Sequence, residues 1–433
     1  MPEQNRPGHS EMLWIRDFDE TDEILKNPVF YSTLSLGPSA PIMGNTLISL
    51  YGDAHTYRRR TEILMFSRPA LVSYELDLVR PALRQRLADA VGATGTAKVA
   101  IQEVLRYALM LVAARIVGLD DVDTAEDAAA LRSMSERIGE GNSSDWSNRD
   151  VDAVMRDALT ARDEFAERFY DPARARRGAL LARHQAGEIG AGELPNDLLM
   201  LLLKAYEDWD EDQLLRECIF FLGASATTTT SLAPHALFEV LNWVAEHPED
   251  AAKLQEITFL RQAVHEALRL HPPVPALLRA PLEDVRLRSG RLVRRGEYLA
   301  LDLNAINRRE DIFGPDPGSF NPYRVPARKG VHGYGESFGA GAHVCPGRLI
   351  AVGAASSAAT RTSDDSTIGV MVRLLEELFR YDVALDPDDP PVLREDTQAD
   401  RYARFSVLLT ERAGSPADGD SAAAQAASSR ASA

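Results

Sequence analysis

The ten residues Phe338-Gly339-Ala340-Gly341-Ala342-His343-Val344-Cys345-Pro346-Gly347 place three glycines and a proline around one cysteine. Glycine adopts backbone angles that other residues avoid, so such a loop turns tightly and can aim several N–H groups at a single sulfur. Those donors, with the positive end of a helix that follows, favour the thiolate, the form of cysteine that binds metals. A lone cysteine in a glycine turn is more often a buried, inert residue, so the choice rests on the rest of the chain. The only other cysteine, Cys218, opens an apolar helical run and reads as a small buried hydrophobe.

Further residue pairs have spacings that could do chemistry. Glu266 and Arg269 stand three apart, which puts both charges on one helix face, and Arg324 closes the segment Phe320-Asn321-Pro322-Tyr323-Arg324. His55 and Arg59 stand four apart, and Arg279 follows Pro273-Val274-Pro275. Taken singly, each is as well explained by a solvated helix face or a capping residue. The run from Phe220 to Thr230 joins small residues to four consecutive threonines, Thr227 to Thr230. Its hydroxyls can hold water, or can bond back to the carbonyls one turn earlier and bend the helix.

The ten-residue cysteine segment matches Phe-Gly-x-Gly-x-His-x-Cys-x-Gly without a mismatch, and in this the chain resembles the cytochrome P-450 superfamily of haem-thiolate monooxygenases. Glu266-Ala267-Leu268-Arg269 matches that family's Glu-x-x-Arg, and His55-Thr56-Tyr57-Arg58-Arg59 its His-x-x-x-Arg, in the family's order from His55 to Gly347. The resemblance implies a mainly α fold with small β-sheets, a triangular prism with haem b between a long central helix and the cysteine loop. It implies that Cys345 is the iron ligand, that Phe338 packs on the haem and Gly347 belongs to the ligand loop. His55, Arg59, Arg279 and His343 would hold the propionates, and Glu266, Arg269 and Arg324 would form a structural triad. It further implies O2 and a small organic molecule as substrates, with electrons from NAD(P)H through a ferredoxin reductase and a ferredoxin. The Ala- and Arg-rich format suggests a bacterial enzyme of secondary metabolism, by analogy only.

The sequence departs from the family at the oxygen-activating helix. Typical members carry Ala-Gly-x-Asp/Glu-Thr there. Placing Ala224-Ser225 on the small pair puts Thr227 on the acid and Thr228 on the threonine; placing Gly223-Ala224 there puts Ala226 and Thr227 on them. Neither register supplies a carboxylate, so Thr227 and Thr228 are both catalytic candidates. The missing acid keeps peroxygenase or nitric-oxide-reductase chemistry, or a non-catalytic haem sensor, as alternatives. Arg58, Arg59, Arg60 and Arg68 form a basic cluster that the resemblance puts on the side facing the electron donor, with Arg58 and Arg60 as docking candidates.

These residues need a frame that is mostly helical. Apolar periodicity marks helices within residues 76–119, broken at Gly92 to Gly95, and over residues 150–185, 210–244, 256–270 and 371–379. Pro234 should kink the third of these or be re-satisfied locally. Residues 274–330 carry short β-capable runs at 285–287, 292–293 and 298–303. Segments 31–46 and 198–209 are candidates to cover the substrate pocket. The reading is a flexible segment at 1–12, a single haem-binding domain at 13–412 and a disordered Ala/Ser/Gly tail at 413–433, with an insertion around residues 360–367.

The bulk composition agrees. Lys and Arg number 48 against 65 Asp and Glu, a net charge of −17, which opposes phosphate backbones and anionic lipid. No nucleic-acid or membrane partner is expected, since no run reaches the roughly 18 apolar residues of a spanning helix. Two cysteines make neither a disulfide framework nor a four-thiolate site, which suits a reducing, cytoplasmic compartment.

Overall fold

The computed structural model describes residues 11–122, 124–353 and 367–412. Helices dominate it, and the described strands form four small sheets. The expected tail at 413–433 and all but the last residue of the insertion expected around 360–367 lie outside the described residues.

The central element is the 36-residue helix Glu211–Glu246, about 54 Å long at 1.5 Å per residue. Asp210 caps it, its carboxylate accepting the Gln213 N–H at 2.8 Å. The helix runs through Pro234 and ends before His247-Pro248. Ile219, Leu222, Ala233, Ala236, Leu237 and Val240 are fully buried along it, against helix Ile101–Val117 and its neighbours. Length and its many fully buried residues make this helix the floor on which the rest is laid.

The expected helical block at 76–119 is divided differently. Helix Arg80–Val91 ends at Gly92, whose φ of 50° breaks it, and residues Thr96–Ala100 then form a strand. The strand was hidden because Thr-Ala-Lys-Val-Ala is too short to show a period; pairing with Ser406–Glu411 determines it. Ser406–Glu411 is in turn flanked by Tyr381–Leu385. The block at 150–185 is one helical course, Val151–Phe165 and Asp171–Gln185, joined by a wider π turn at Ala166–Tyr170.

The other main sheet holds four strands. Leu299–Asp302 sits between Leu13–Ile15, parallel to it, and Ala276–Pro281, antiparallel; Phe30–Ser32 is the far edge. Leu303, expected at the strand's end, instead begins the short helix Leu303–Ile306, capped by Asp302. Met12, read as part of a flexible segment, is buried among Trp146, Ala276, Leu278 and Ala300. Sheet pairing of Leu13–Ile15 holds it there, so order begins before Leu13.

Helix Ile257–Leu270 buries Phe259, Leu260, Ala263, Val264, Ala267 and Leu268 on one face and stops at His271-Pro272-Pro273. The C-terminal helix Val370–Leu378 packs on it. A buried carboxylate fixes the start of that last helix: Glu75 accepts the N–H groups of Ile368 at 3.0 Å and Gly369 at 2.9 Å and pairs with Arg373 at 2.7 Å.

Candidate active site

Cys345 lies at the turn between the glycine loop and helix Arg348–Val352. Its own N–H donates to the Phe338 carbonyl at 2.9 Å, which closes the loop on itself. Gly341 has φ +67°, and a Cβ there would lie 2.3 Å from the Leu25 carbonyl oxygen. Only glycine fits, and this contact presses the loop against the end of helix Phe18–Lys26. Burial pushes the Cys345 thiol up, while the N–H groups of Gly347 and Arg348 and the Arg59 guanidinium favour its thiolate. A buried thiol with amide donors already aimed at it is ready for a metal cation, which would remove the proton.

Around this sulfur the fold collects basic side chains from three distant parts of the chain. Helix Gly52–Glu62 brings His55, buried, and Arg59, whose guanidinium donates to the Val344 carbonyl at 2.7 Å. The His55 and His343 rings face each other with centroids 4.0 Å apart. Strand Ala276–Pro281 brings Arg279, also buried, whose guanidinium donates to the Leu278 carbonyl at 2.9 Å.

The electrostatics of this cluster are unbalanced. Burial, then Arg59, lowers His55 to about 4. Burial, then His55, Arg279 and Arg59, lowers His343 to about 3. Arg279 is lowered to about 10 by burial alone. Among the described residues no carboxylate pairs with Arg59 or Arg279. A buried guanidinium without a counter-ion is costly, so the arrangement calls for an anionic ligand. A haem, with two carboxylates at one edge and an iron that takes a thiolate, fits this set of donors.

Helix Ile257–Leu270 supplies the second constellation. Arg269, fully buried, makes a two-pronged pair with Glu266 at 2.8 and 2.6 Å. Arg324 adds its Nε to the same carboxylate at 2.8 Å. Two guanidinia on one carboxylate leave excess charge, and backbone carbonyls absorb it. Arg269 donates to the Asn307 and Pro317 carbonyls, and Arg324 to those of Phe313, Pro315, Asp316 and Ser319. The irregular segment before the cysteine loop is thereby tied to the helix, and the expected triad is formed.

A second tie escaped the sequence. The Asn307 amide donates to Ser337 at 2.9 Å and accepts the Glu336 N–H at 2.9 Å, while the Ser337 hydroxyl donates to the Leu268 carbonyl at 2.9 Å. Aromatic packing runs beside it: Phe338 stands edge-on to Tyr334 at 5.1 Å, and Tyr334 to His265 at 5.2 Å. No local signal marks Asn307 or Ser337, because their partners lie about 30 residues away or more.

On the central helix, the Thr228 hydroxyl donates to the Ala224 carbonyl at 3.1 Å, the back-bonded arrangement. Ala224 is exposed although Leu222 and Gly223 just before it are buried, so the helix opens onto a space at this level. The Thr227 side chain lies outside the described residues.

Arg58 requires a correction. It is not available for docking, because the i,i+3 position from His55 turns it inward. It is buried, pairs with Glu217 at 2.9 Å, bonds the Asn45 carbonyl and lies under the Trp209 ring at 4.3 Å. Trp209 itself stacks on Tyr206 at 4.1 Å, so the 198–209 segment covers this ion pair. Glu62, one turn beyond Arg58, is fully buried with neither oxygen bonded; burial, then Glu217, pushes it up. Arg60 and Arg68 remain exposed.

A long central helix, a Glu-x-x-Arg pair locked to an irregular segment, and a cysteine loop beside two arginines that bond no carboxylate among the described residues define a haem-thiolate protein. Comparison with known proteins agrees. The family model Cytochrome P450 matches residues 146–354. Cyclooctat-9-en-7-ol 5-monooxygenase of Streptomyces melanosporofaciens is 26% identical over 361 residues, 76% of this chain and 74% of that protein. Cytochrome P450 monooxygenase milC of Cordyceps militaris is 32% identical, over 47% of this chain and 40% of that one. Among solved structures, CalO2 superposes with a TM-score of 0.67 at 22% identity, covering 94% and 93% of the two chains. CYP109E1 from Bacillus megaterium in complex with testosterone gives 0.66 at 20%, over 94% and 96%. The chain belongs to the cytochrome P450 superfamily. It is a haem b oxidoreductase of the monooxygenase class, and its reaction takes O2, a substrate and a redox partner.

The triad gives a direct test. Replacing Glu266 by Gln removes the charge that two buried guanidinia share, at a cost of about 3–5 kcal/mol. The expected outcome is a chain that expresses with little or no haem and a denaturation midpoint shifted down accordingly. A variant with full haem content and unchanged stability would show that the triad does not hold the cysteine loop.

Proposed function

We propose that this protein is a bacterial haem-thiolate monooxygenase that oxidises a small organic molecule of secondary metabolism, with Cys345 as the iron ligand and a ferredoxin as electron donor. The observation that carries the reading is the cluster of buried Arg279 and His55 and half-buried Arg59 and His343 beside Cys345, in which no carboxylate among the described residues is bonded to either arginine. When bound there, haem supplies reductive activation of O2, which an axial thiolate favours. The chain's own residues do the rest.

Gly347 and Arg348 hold the sulfur with their N–H groups. Arg59 and Arg279 would hold the propionates, with neutral His55 and His343 donating from their ring nitrogens, and the ring of Phe338 would pack on the cofactor. On the central helix the Thr228 hydroxyl is bound to the Ala224 carbonyl and would be released by rotation about χ1; Thr227 is the other candidate. Either hydroxyl can pass a proton from water. No carboxylate stands on the helix between Glu217 and Glu239. Proton delivery therefore runs through hydroxyls and water, and substrate groups can take part.

The substrate class rests on the Streptomyces relative, named as a monooxygenase of a cyclic alcohol. A cytoplasmic site of action rests on two cysteines that are both free thiols. Arg60 supports the ferredoxin assignment. It is exposed and follows Arg59, whose side chain donates to the carbonyl just before Cys345.

Turnover with ferredoxin, ferredoxin reductase and NADPH is the primary test, with hydrogen peroxide alone as the comparison. Arg60→Glu should raise KM for ferredoxin about tenfold, with the effect shrinking as salt rises, and leave the haem spectrum unchanged. An unchanged KM would remove Arg60 from the docking face. Replacing Thr227 and Thr228 singly by Val should leave O2 consumption and, in one of them, cut product per NADPH about tenfold or more. Full coupling in both variants would dismiss the hydroxyl relay.

A further inference from the structure

Just beyond Thr228 the central helix meets helix Ala125–Asn142 and the segment before the last strands, and a polar pocket lies between them. Thr230, Ser231 and Pro234 line it from the central helix, and Arg401 and Tyr402 reach it from the C-terminal segment. Its volume is about 60 Å3, room for a few waters. It takes a small polar group, not a whole substrate.

Four arginines line this pocket, and three of them are already engaged. Arg394 makes two-pronged pairs with Glu140, at 2.7 and 3.1 Å, and with Asp396, at 2.8 and 2.9 Å. Arg106 pairs with Glu103 at 2.9 Å and with Glu136 at 3.1 Å, and Arg132 bonds Glu103. Arg401 differs: it is 7% exposed and bonds no carboxylate among the described residues. One terminal nitrogen lies 3.5 Å from the Ser143 hydroxyl, at the limit of a hydrogen bond, and its buried Nε has no partner. The neighbouring Asp400 turns its carboxylate to His271 instead, at 3.2 Å.

By count alone the four guanidinia balance Glu103, Glu136, Glu140 and Asp396. Position breaks the balance. The side chains of Glu103, Glu136 and Asp396 are 51%, 43% and 41% exposed, where water screens them, whereas Arg401 is buried. Burial lowers Arg401; Glu140 opposes that shift and Arg394 adds to it. A buried guanidinium with an unused donor calls for an anionic acceptor, and a carboxylate matches its planar fork.

Ser231 joins this pocket to the reaction space. It stands three residues beyond Thr228 and seven beyond Ala224, on one face of the helix, and Ala224 is where the helix opens. A group held beside Ser231 leaves about 10 Å of helix for the rest of its molecule to reach that opening.

We infer that Arg401 binds a carboxylate of the substrate, which makes that substrate an organic acid whose oxidised carbon lies about 10 Å from its acid group. The assignment rests on the monooxygenase reading and adds a substrate class to it.

The test exposes the holoenzyme to decanoate and to cyclohexanebutanoate, each beside its methyl ester, and follows binding by the haem spin-state shift and by calorimetry. Wild type should bind at least one acid about tenfold or more tightly than its ester. Arg401→Gln should erase that preference by weakening the acid and leaving the ester unchanged, and Arg401→Lys, which keeps the charge without the fork, should fall between. Because an unpaired buried charge is removed, Arg401→Gln should keep or raise the unfolding temperature. If Arg401→Gln does not fold, Arg401→Lys and the wild-type comparison of acid with ester decide the matter. Acids and esters bound alike by wild type, no binding of either acid, or a preference that survives Arg401→Gln would overturn the proposal. Acetate bound as tightly as decanoate would overturn it too, leaving a site for free anions. The carbon monoxide spectrum keeps the two readings apart. A thiolate-type Soret shift without acid preference sinks only the carboxylate site, and its absence sinks the monooxygenase reading beneath it.

Discussion

The chain gathers a thiol and four basic groups in one partly buried space and, among the described residues, bonds no carboxylate to the two arginines among them. Left alone this arrangement is expensive: buried charge without a partner costs several kcal/mol per ion. Its consequence is visible in the groups themselves, with Arg279 lowered to about 10 and both histidines held neutral. An anionic ligand with a cationic, thiolate-seeking centre relieves every term at once. Haem b has that charge pattern, so the electrostatics of these residues and the family membership lead to the same cofactor.

Much of the remaining structure serves to keep those groups in place. Helix Ile257–Leu270 anchors the approach to the loop twice, through Glu266 with its two arginines and through the Leu268 carbonyl on Ser337. Gly341 sets the loop against residues Leu25 and Lys26, where no side chain fits. The central helix presents small and hydroxyl residues where it opens at Ala224.

The sequence was most legible where function and local spacing coincide. Glu266 and Arg269 share a helix face, and His55 and Arg59 likewise, so both pairs are readable and both are formed. The long helix was readable because its apolar residues are dense and its ends carry Asp210 and His247-Pro248. What stayed hidden depends on distant partners. Thr96–Ala100 becomes a strand only beside Ser406–Glu411, and Asn307 matters only because Ser337 and Glu336 reach it. Arg58 was misread for a related reason: in an arginine run, composition suggests solvent, whereas helical phase and Glu217 draw this one inside.

The central claim is that Cys345, set among those cations, ligates the iron. The difference spectrum of the reduced protein with carbon monoxide tests it most directly, for wild type and Cys345→Ala side by side. The account predicts the thiolate-type Soret shift in the wild type and its loss in the variant. A wild-type spectrum without that shift, or a variant that keeps it, would contradict the assignment.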